Sequence, residues 1–207
     1  MTLQNNSIPH TSTNLHKHQC KQNFAQNSIK HFHDSLITLL REIEPTRILS
    51  AGCGEGFDLK SIHDRGNFGP ISLIGLDLNF PALRTAQDIL KESNFAATNG
   101  NIYNLPFCLS AFDAILCLEV LEHLEQPERV LENILNQYTG YCIFSVPNEP
   151  FFQLTRLVIA RKNLRQLGNH PEHLNRWSKN QFIRLISKYF TIDQVSTPYP
   201  WTMVLCH

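Results

Sequence analysis

The chain reads Ile48-Leu49-Ser50-Ala51-Gly52-Cys53-Gly54-Glu55-Gly56, an apolar segment that leads directly into three alternating glycines. Such a turn after a strand lets a ligand approach the backbone closely, because glycine lacks a Cβ atom and permits positive φ. The first amides of a following helix can then point at polar groups of that ligand. A second strand, Ile71 to Leu76, ends in Asp77, where a doubly wound fold places the carboxylate that binds a ribose diol. Together these features predict a cofactor that contains adenosine.

The glycine spacing argues against a dinucleotide as that cofactor. Gly52, Gly54 and Gly56 alternate, whereas the Gly-x-Gly-x-x-Gly turn of dinucleotide-binding folds lets a pyrophosphate sit on the helix end. A dinucleotide is therefore disfavoured.

Length and composition fit one domain with a single core, since the chain has 207 residues of which 42% are hydrophobic. Residues 1–26 are polar and are expected to form a flexible tail, which leaves 27–207 as the domain. The formal net charge is zero, so nothing in the composition attracts polyanions and nucleic acid is not expected as a partner. No apolar stretch is long enough for a membrane span or a signal peptide, and a cytoplasmic location is expected.

Helical and strand-like patterns alternate after the tail, which predicts parallel strands joined by right-handed crossovers. The predicted helices are Ile29–Ile43, Phe57–Arg65, Pro81–Lys91, Pro127–Tyr138 and Lys179–Tyr189. The predicted strands are Arg47–Ala51, Ile71–Asp77, Phe95–Asn99, Phe112–Leu118, Tyr141–Val146, Thr191–Ser196 and Trp201–Cys206.

Several of these segments resemble class I S-adenosylmethionine-dependent methyltransferases, in order and over most of the chain from about Ile48 to Val204. The glycine turn resembles the first motif of the family. Three further segments resemble its ribose-binding strand, its adenine-side loop, and its fourth strand with the loop that follows: Gly75-Leu76-Asp77-Leu78, Gly100-Asn101-Ile102 with Leu105-Pro106-Phe107, and Phe112 to Leu124. The resemblance implies an α/β, Rossmann-like, doubly wound, mainly parallel sheet of seven strands with an antiparallel end, in a single domain.

S-adenosylmethionine is the cofactor that the resemblance implies. The expected contacts are Ser50, Ala51, Gly52, Cys53, Gly54, Asp77, Leu78, Asn101, Ile102, Leu118 and Glu119. The family usually has an acidic residue at the position of Ser50 and an aspartate at that of Asn101. Both side chains can still accept a hydrogen bond, so we expect weaker binding and not its loss.

His123 is the candidate general base, since imidazole titrates near neutrality and this residue follows the fourth strand, near the expected acceptor position. An alternative is that His123 merely anchors the next helix. A second alternative is a divalent metal held by Glu119, Glu122, His123 and His173, as in the small-RNA 3′-terminal 2′-O-methyltransferases that these residues also resemble. Many metal-free relatives share Leu-Glu-His at this position, so no metal ligand is predicted, and a divalent metal remains an alternative.

A substrate lid is expected over residues 148–177, which are both apolar and basic in their first half. A helix there can cap an apolar pocket or make peripheral contact with an anionic membrane. The predicted activity is O-methylation of a small apolar or aromatic acceptor. The alternatives are metal-assisted 2′-O-methylation of an RNA 3′ end and a non-catalytic cofactor-binding protein. The sequence does not predict an oligomeric state.

Overall fold

A computed structural model describes residues 23–149 and 174–207. In these ranges the chain forms a sheet of seven strands with helices on both faces. The strands are β1 Arg47–Ala51, β2 Ser72–Asp77, β3 Asn94–Asn99, β4 Ala114–Leu118, β5 Tyr141–Pro147, β6 Ile192–Ser196 and β7 Trp201–Cys206. The α-helices are α1 Asn23–Arg41, α2 Phe57–Arg65, α3 Phe80–Ile89, α4 Pro127–Leu135 and α5 Lys179–Ile186.

The strand order is β3-β2-β1-β4-β5-β7-β6, and the pairs among β1 to β5 are parallel. Strand β7 is antiparallel to both β5 and β6. The order reverses direction beside β1, where successive crossovers leave to opposite sides and open a crevice at the carboxyl ends of the strands. This architecture confirms the predicted Rossmann-like sheet with an antiparallel end.

Two apolar clusters pack on the two faces of the sheet. One face packs against α4 and α5 and includes Leu49, Cys117 and Phe144. The other face packs against α1 and α2 and includes Ile48 and Trp201. All five residues of β4 are buried, as expected of a central parallel strand that is covered on both faces. The sheet therefore gives the crevice a rigid floor.

Several element boundaries differ from the predicted ones. Helix α1 begins at Asn23, six residues before the predicted start at Ile29, and so takes in residues assigned to the tail. The polar composition of the first turns gave no sign of this extension, because the residue that they bury, Ser28, is itself polar. Strand β4 begins at Ala114 instead of Phe112, since a short 3₁₀ helix, Leu109–Ala111, comes before it. Among the described residues, no helix has both the length and the apolar character needed to cross a bilayer.

Candidate cofactor site and active-site rim

The glycine turn after β1 has a left-handed backbone at all three glycines, with φ of 85° at Gly52, 52° at Gly54 and 77° at Gly56. Two amides of the turn, from Gly52 and Cys53, donate to the Leu76 carbonyl at 2.7 and 3.0 Å. A Cβ atom added to Gly52 would lie 2.4 Å from Val120 Cγ2, which is well inside van der Waals contact. The turn therefore packs directly against the loop after β4, and only glycine fits at position 52.

Asp77 ends β2 with its carboxylate held by backbone amides. Gly54 N donates to Oδ2 at 2.8 Å, and Asn79 N donates to Oδ1 at 2.8 Å. A carboxylate oxygen can accept more than one hydrogen bond, so each oxygen keeps capacity for a ribose hydroxyl. The glycine turn and the carboxylate thus form one preorganised cradle, with the geometry expected for binding the ribose of an adenosine cofactor.

The residues expected on the adenine side lie at the ends of β2 and β3. Leu78 is 66% exposed and leaves an apolar side chain open to a flat ligand. Asn101 Oδ1 accepts from Tyr103 N at 3.0 Å, which shapes the loop after β3. The Ile102 side chain instead packs into the core, so this residue can offer a ligand only its backbone atoms.

The remaining predicted contacts surround the floor of the crevice. Ser50 is buried in β1 between Gly75 and Leu116 of the adjacent strands. The side chains of Ala51 and Leu118 belong to the core, so these two residues can offer a ligand only their backbone atoms. Cys53 packs beside Gly75, and burial, followed by the charge of Asp77, raises the pKa of its thiol to about 12. The thiol is therefore neutral near pH 7 and is not a nucleophile there.

Glu119, the first residue after β4, has an unusual backbone conformation with φ of 58°. Strand alternation would place its side chain opposite to that of Leu118, on the face that packs against α4 and α5. The left-handed conformation sends it to the other face, where Oε1 accepts from Ser145 Oγ at 3.1 Å and Oε2 accepts from Trp201 Nε1 at 2.5 Å. This conformation costs a non-glycine residue roughly 1–2 kcal/mol, so the hydrogen bonds fix the carboxylate against a conformational preference.

A 3₁₀ helix, Leu121–His123, follows β4 at the carboxyl-end edge of the sheet, which we call the rim. It contains Glu122 and His123, whose side chains differ in exposure. The Glu122 side chain is 2% exposed, whereas that of His123 is 38% exposed. Their Oε1 and Nε2 atoms are 3.9 Å apart, which is an ion-pair distance once the imidazole is protonated. The rim thus presents a partly exposed imidazole with a buried carboxylate beside it.

Asn175 ties the segment after residue 173 to this rim, and sequence reasoning missed its role. Its side-chain amide donates to the Leu124 carbonyl at 2.6 Å, and its backbone amide donates to the Glu122 carbonyl at 2.9 Å. Trp177 continues the connection by accepting from Glu149 N at 3.1 Å, and its ring lies near Phe182. Most of the predicted lid, from 150 to 173, lies outside the described residues, as does His173.

Three residues of the alternative metal set, Glu119, Glu122 and His123, are described, whereas His173 is not. Among the described residues, no group of three or more His, Cys, Asp or Glu side chains is placed to hold a metal ion. Glu119 is turned toward Trp201 and Ser145, whereas Glu122 lies under His123.

Comparison with known proteins agrees with this geometry. Residues 49–138 match the family model described as a methyltransferase domain. A small RNA 2′-O-methyltransferase from Caenorhabditis elegans is 24% identical over 209 residues, which cover 88% of this chain and 47% of the relative. The ubiquinone biosynthesis O-methyltransferase of Alkalilimnicola ehrlichii is 28% identical over 185 residues, which cover 82% of this chain and 73% of that protein. The chain thus spans about half the length of the first relative and about three quarters of the second.

The fold is shared with solved methyltransferases. The crystal structure of magnesium protoporphyrin IX methyltransferase from Synechocystis PCC 6803 with bound SAH superposes with a TM-score of 0.66 at 16% identity, covering 94% of each chain. Residues 49–138 are thus similar to a methyltransferase domain, and the fold is one that solved methyltransferases share. S-adenosylmethionine is the cofactor that this similarity supports.

Proposed function

We propose that this methyltransferase methylates an oxygen of a small apolar or aromatic acceptor, with His123 as the general base. The observation that carries the proposal is the half-exposed imidazole of His123 beside the buried Glu122 carboxylate, on the rim next to the glycine turn. The relative that acts in ubiquinone biosynthesis supports transfer to oxygen.

The cofactor would lie along the carboxyl ends of β1, β2 and β4. The residues we propose to hold it are Ser50, Ala51, Gly52, Cys53, Gly54, Asp77, Leu78, Asn101, Ile102, Leu118 and Glu119. When bound, S-adenosylmethionine supplies an electrophilic methyl group, and the protein contributes mainly by aligning the acceptor with it. His123 would take the proton of the acceptor hydroxyl as the oxygen–carbon bond forms and the sulfur–carbon bond breaks, with S-adenosylhomocysteine as the leaving group. The Glu122 carboxylate, 3.9 Å from the imidazole, would face the imidazolium that results.

The experiment is a methyl-transfer assay with labelled S-adenosylmethionine and two acceptor sets, small phenols or catechols and small RNAs with a free 3′ end. We expect label on the phenolic set, and we expect His123→Ala to lower kcat by about 10²-fold. The dissociation constant of S-adenosylhomocysteine should stay within about twofold of the wild-type value, because His123 is placed to contact the acceptor. Equal losses of turnover and cofactor affinity would instead make His123 a structural residue.

A second candidate function is 2′-O-methylation at an RNA 3′ end, which the Caenorhabditis elegans relative supports by matching 88% of this chain. The net charge of zero weighs against it, because RNA binding requires a positively charged surface. Label on RNA alone that depends on added Mn²⁺ or Mg²⁺ would favour this function. S-adenosylhomocysteine binding without label on either acceptor set would favour a non-catalytic binding protein.

A further inference from the structure

Tyr103 lies in the loop after β3 and contacts the start of α4, a link that the sequence did not indicate. Its phenolic oxygen accepts a hydrogen bond from Gln126 N at 3.0 Å. Gln126 is the N-cap residue of α4, and its own side chain caps none of the first amides of that helix. Pro127 follows at the start of the helix and has no amide N–H to donate. The Tyr103 hydroxyl therefore holds the backbone at the point where α4 begins.

The rest of Tyr103 is held by the loop after β3 and by the body of α4. Its amide donates to Asn101 Oδ1 at 3.0 Å, and its carbonyl accepts from Asn133 Nδ2 at 2.9 Å. The Arg129 guanidinium lies over the tyrosine ring, 5.6 Å from the ring centroid. The ring also packs against the apolar core. The hydroxyl is therefore carried by a side chain whose position is already fixed.

His123 lies three residues before Gln126, on the segment that joins β4 to α4. Two long-range hydrogen bonds hold the part of this segment that follows His123. Asn175 Nδ2 donates to the Leu124 carbonyl at 2.6 Å, and the Tyr103 hydroxyl accepts from Gln126 N. A side chain keeps a defined direction only when the chain that carries it is held by such supporting contacts. The direction of the imidazole thus depends in part on the loop after β3.

We propose that Tyr103 is a positioning residue for His123, and that it links the imidazole to the loop expected at the adenine end of the cofactor. The inference rests on the proposed function, both on His123 as the base and on the proposed cofactor contacts at Asn101 and Ile102. A ligand that orders this loop also orders the Tyr103 hydroxyl, since Asn101 Oδ1 accepts from the Tyr103 amide. Cofactor binding therefore tightens the segment that carries the base before the acceptor reacts.

The first experiment measures amide hydrogen exchange of the full chain with and without saturating S-adenosylhomocysteine. The His123 and Leu124 amides donate to the carbonyls of Val120 and Leu121, so their exchange reports opening of the 3₁₀ helix. We expect the ligand to slow both amides about fivefold in wild type and less than about twofold in Tyr103→Phe, which lacks only the hydroxyl. Equal slowing in the two proteins, or no binding of the ligand to wild type, would overturn the inference.

The second experiment compares kcat with catechol as the acceptor. We expect Tyr103→Phe to lower kcat about fivefold and to leave the dissociation constant of S-adenosylhomocysteine within about twofold, because one neutral hydrogen bond outside the ligand contacts is lost. In a His123→Ala background the same substitution should lower kcat no further, because Tyr103 acts through His123. A further fall of similar size in the double variant contradicts that route.

Asn133→Ala is the matched control for a loss of support between the loop after β3 and α4. It removes the hydrogen bond to the Tyr103 carbonyl and leaves the one between the Tyr103 hydroxyl and Gln126 N. We expect it to lower the urea midpoint as Tyr103→Phe does, but to keep kcat and the ligand-dependent slowing at His123. Equal losses of kcat in the two variants would make Tyr103 a structural residue and overturn the inference.

The His123→Ala variant separates this inference from the function on which it rests. If His123→Ala retains the wild-type kcat, or if catechol is not methylated, the proposed base or acceptor is wrong, and the exchange experiment still decides the link between Tyr103 and the rim. If His123→Ala lowers kcat while Tyr103→Phe changes neither kcat nor the ligand-dependent exchange, only the role of Tyr103 is wrong.

Discussion

At the scale of single residues, the contact between Gly52 and Val120 fixes how closely two loops of the site approach. Gly52→Ala introduces a methyl group 2.4 Å from Val120 Cγ2 and forces alanine into a left-handed backbone with φ of 85°. We expect this variant to lose at least about 1–2 kcal/mol of unfolding free energy from the backbone alone and to bind S-adenosylhomocysteine more weakly. Urea denaturation and calorimetric titration measure the two effects.

A second substitution separates the steric clash at Gly52 from the backbone strain. Val120→Ala removes both methyl groups that the new Cβ atom would meet, so Gly52→Ala/Val120→Ala should recover part of the lost stability. The strain of the left-handed backbone remains, and recovery should be incomplete. A double variant as unstable as the sum of the two single variants would show that the clash is not the cause.

Some residues of the site could be foreseen from the sequence, and others could not. Gly54 and Asp77 lie at a spacing that the fold imposes, so the pattern alone predicts their proximity. The hydrogen bond from Trp201 to Glu119 joins positions 82 apart in sequence and depends on a left-handed residue after β4. Neither the turned backbone nor the partner strand leaves a local signal, because glutamate is not a residue that favours positive φ.

At the scale of elements, Asp113 joins the start of β1 to the loop before β4. Its Oδ2 accepts from Thr46 N at 2.8 Å, from Thr46 Oγ1 at 2.7 Å and from Arg47 N at 2.9 Å. Hydrogen bonding from the Thr46 hydroxyl, then from the two backbone amides, lowers the pKa of the Asp113 carboxyl below its ordinary value. Three donors on one oxygen select the ionised form and help fix the register of two central strands.

Asp113→Asn should therefore destabilise the protein in a pH-dependent way. A carboxyl whose folded pKa is depressed contributes stability above its unfolded pKa, near about 3.9, and that contribution is lost as pH falls through the folded pKa. We expect the gap in unfolding free energy between wild type and Asp113→Asn to be largest near neutral pH and to shrink below about pH 4. Urea titrations at several pH values, with the exposed Asp88→Asn as the control, measure it. A gap that does not change with pH would contradict this account.

Periodicity predicted the seven strands well, because buried parallel strands are continuous apolar runs. It was less accurate at element ends. Helix α4 stops at Leu135, three residues before the predicted end at Tyr138, where the chain already turns back toward β5. The 3₁₀ helices at Leu109–Ala111 and Leu121–His123 have no sequence period of their own, since three residues make only one turn.

At the scale of the whole molecule, the cysteines report how completely the sheet excludes reagents. Cys117, Cys142 and Cys206 are fully buried in β4, β5 and β7, and burial raises the pKa of each thiol. Burial likewise raises the pKa of Cys53, whereas Cys108 is exposed. Because the thiolate is the reactive form, we expect iodoacetamide at pH 8 to modify Cys108 and to spare the other four described cysteines.

Mass spectrometry of the alkylated protein identifies the modified sites. In urea all five described cysteines should react, because unfolding both exposes the thiols and removes the burial that raises their pKa values. Modification of Cys142 or Cys206 in native buffer at the rate of Cys108 would show that the antiparallel end opens without global unfolding.

The fold of the molecule was thus more predictable than its chemistry. Strand alternation with helices dictates a parallel sheet, and the switch in strand order dictates where a ligand lies. The rim beside His123 depends on residues 174–177 returning to the loop after β4, a long-range contact made by Asn175. Such contacts follow from tertiary packing and have no counterpart in a local pattern.

The hydrogen bonds that hold the carboxylates of Asp77 and Glu119 differ in the length of the chain loops that they close. The hydrogen bond between Gly54 and Asp77 joins positions 23 apart, whereas the one between Glu119 and Trp201 joins positions 82 apart. Closing the longer loop costs about 1 kcal/mol more in chain entropy, which grows with the logarithm of loop length. The hydrogen bond between Gly54 and Asp77 therefore belongs to a nearly local structure of β1 and β2. The hydrogen bond from Trp201 to Glu119 forms only after β7 has inserted between β5 and β6, so the completed sheet is a precondition for orienting the Glu119 carboxylate.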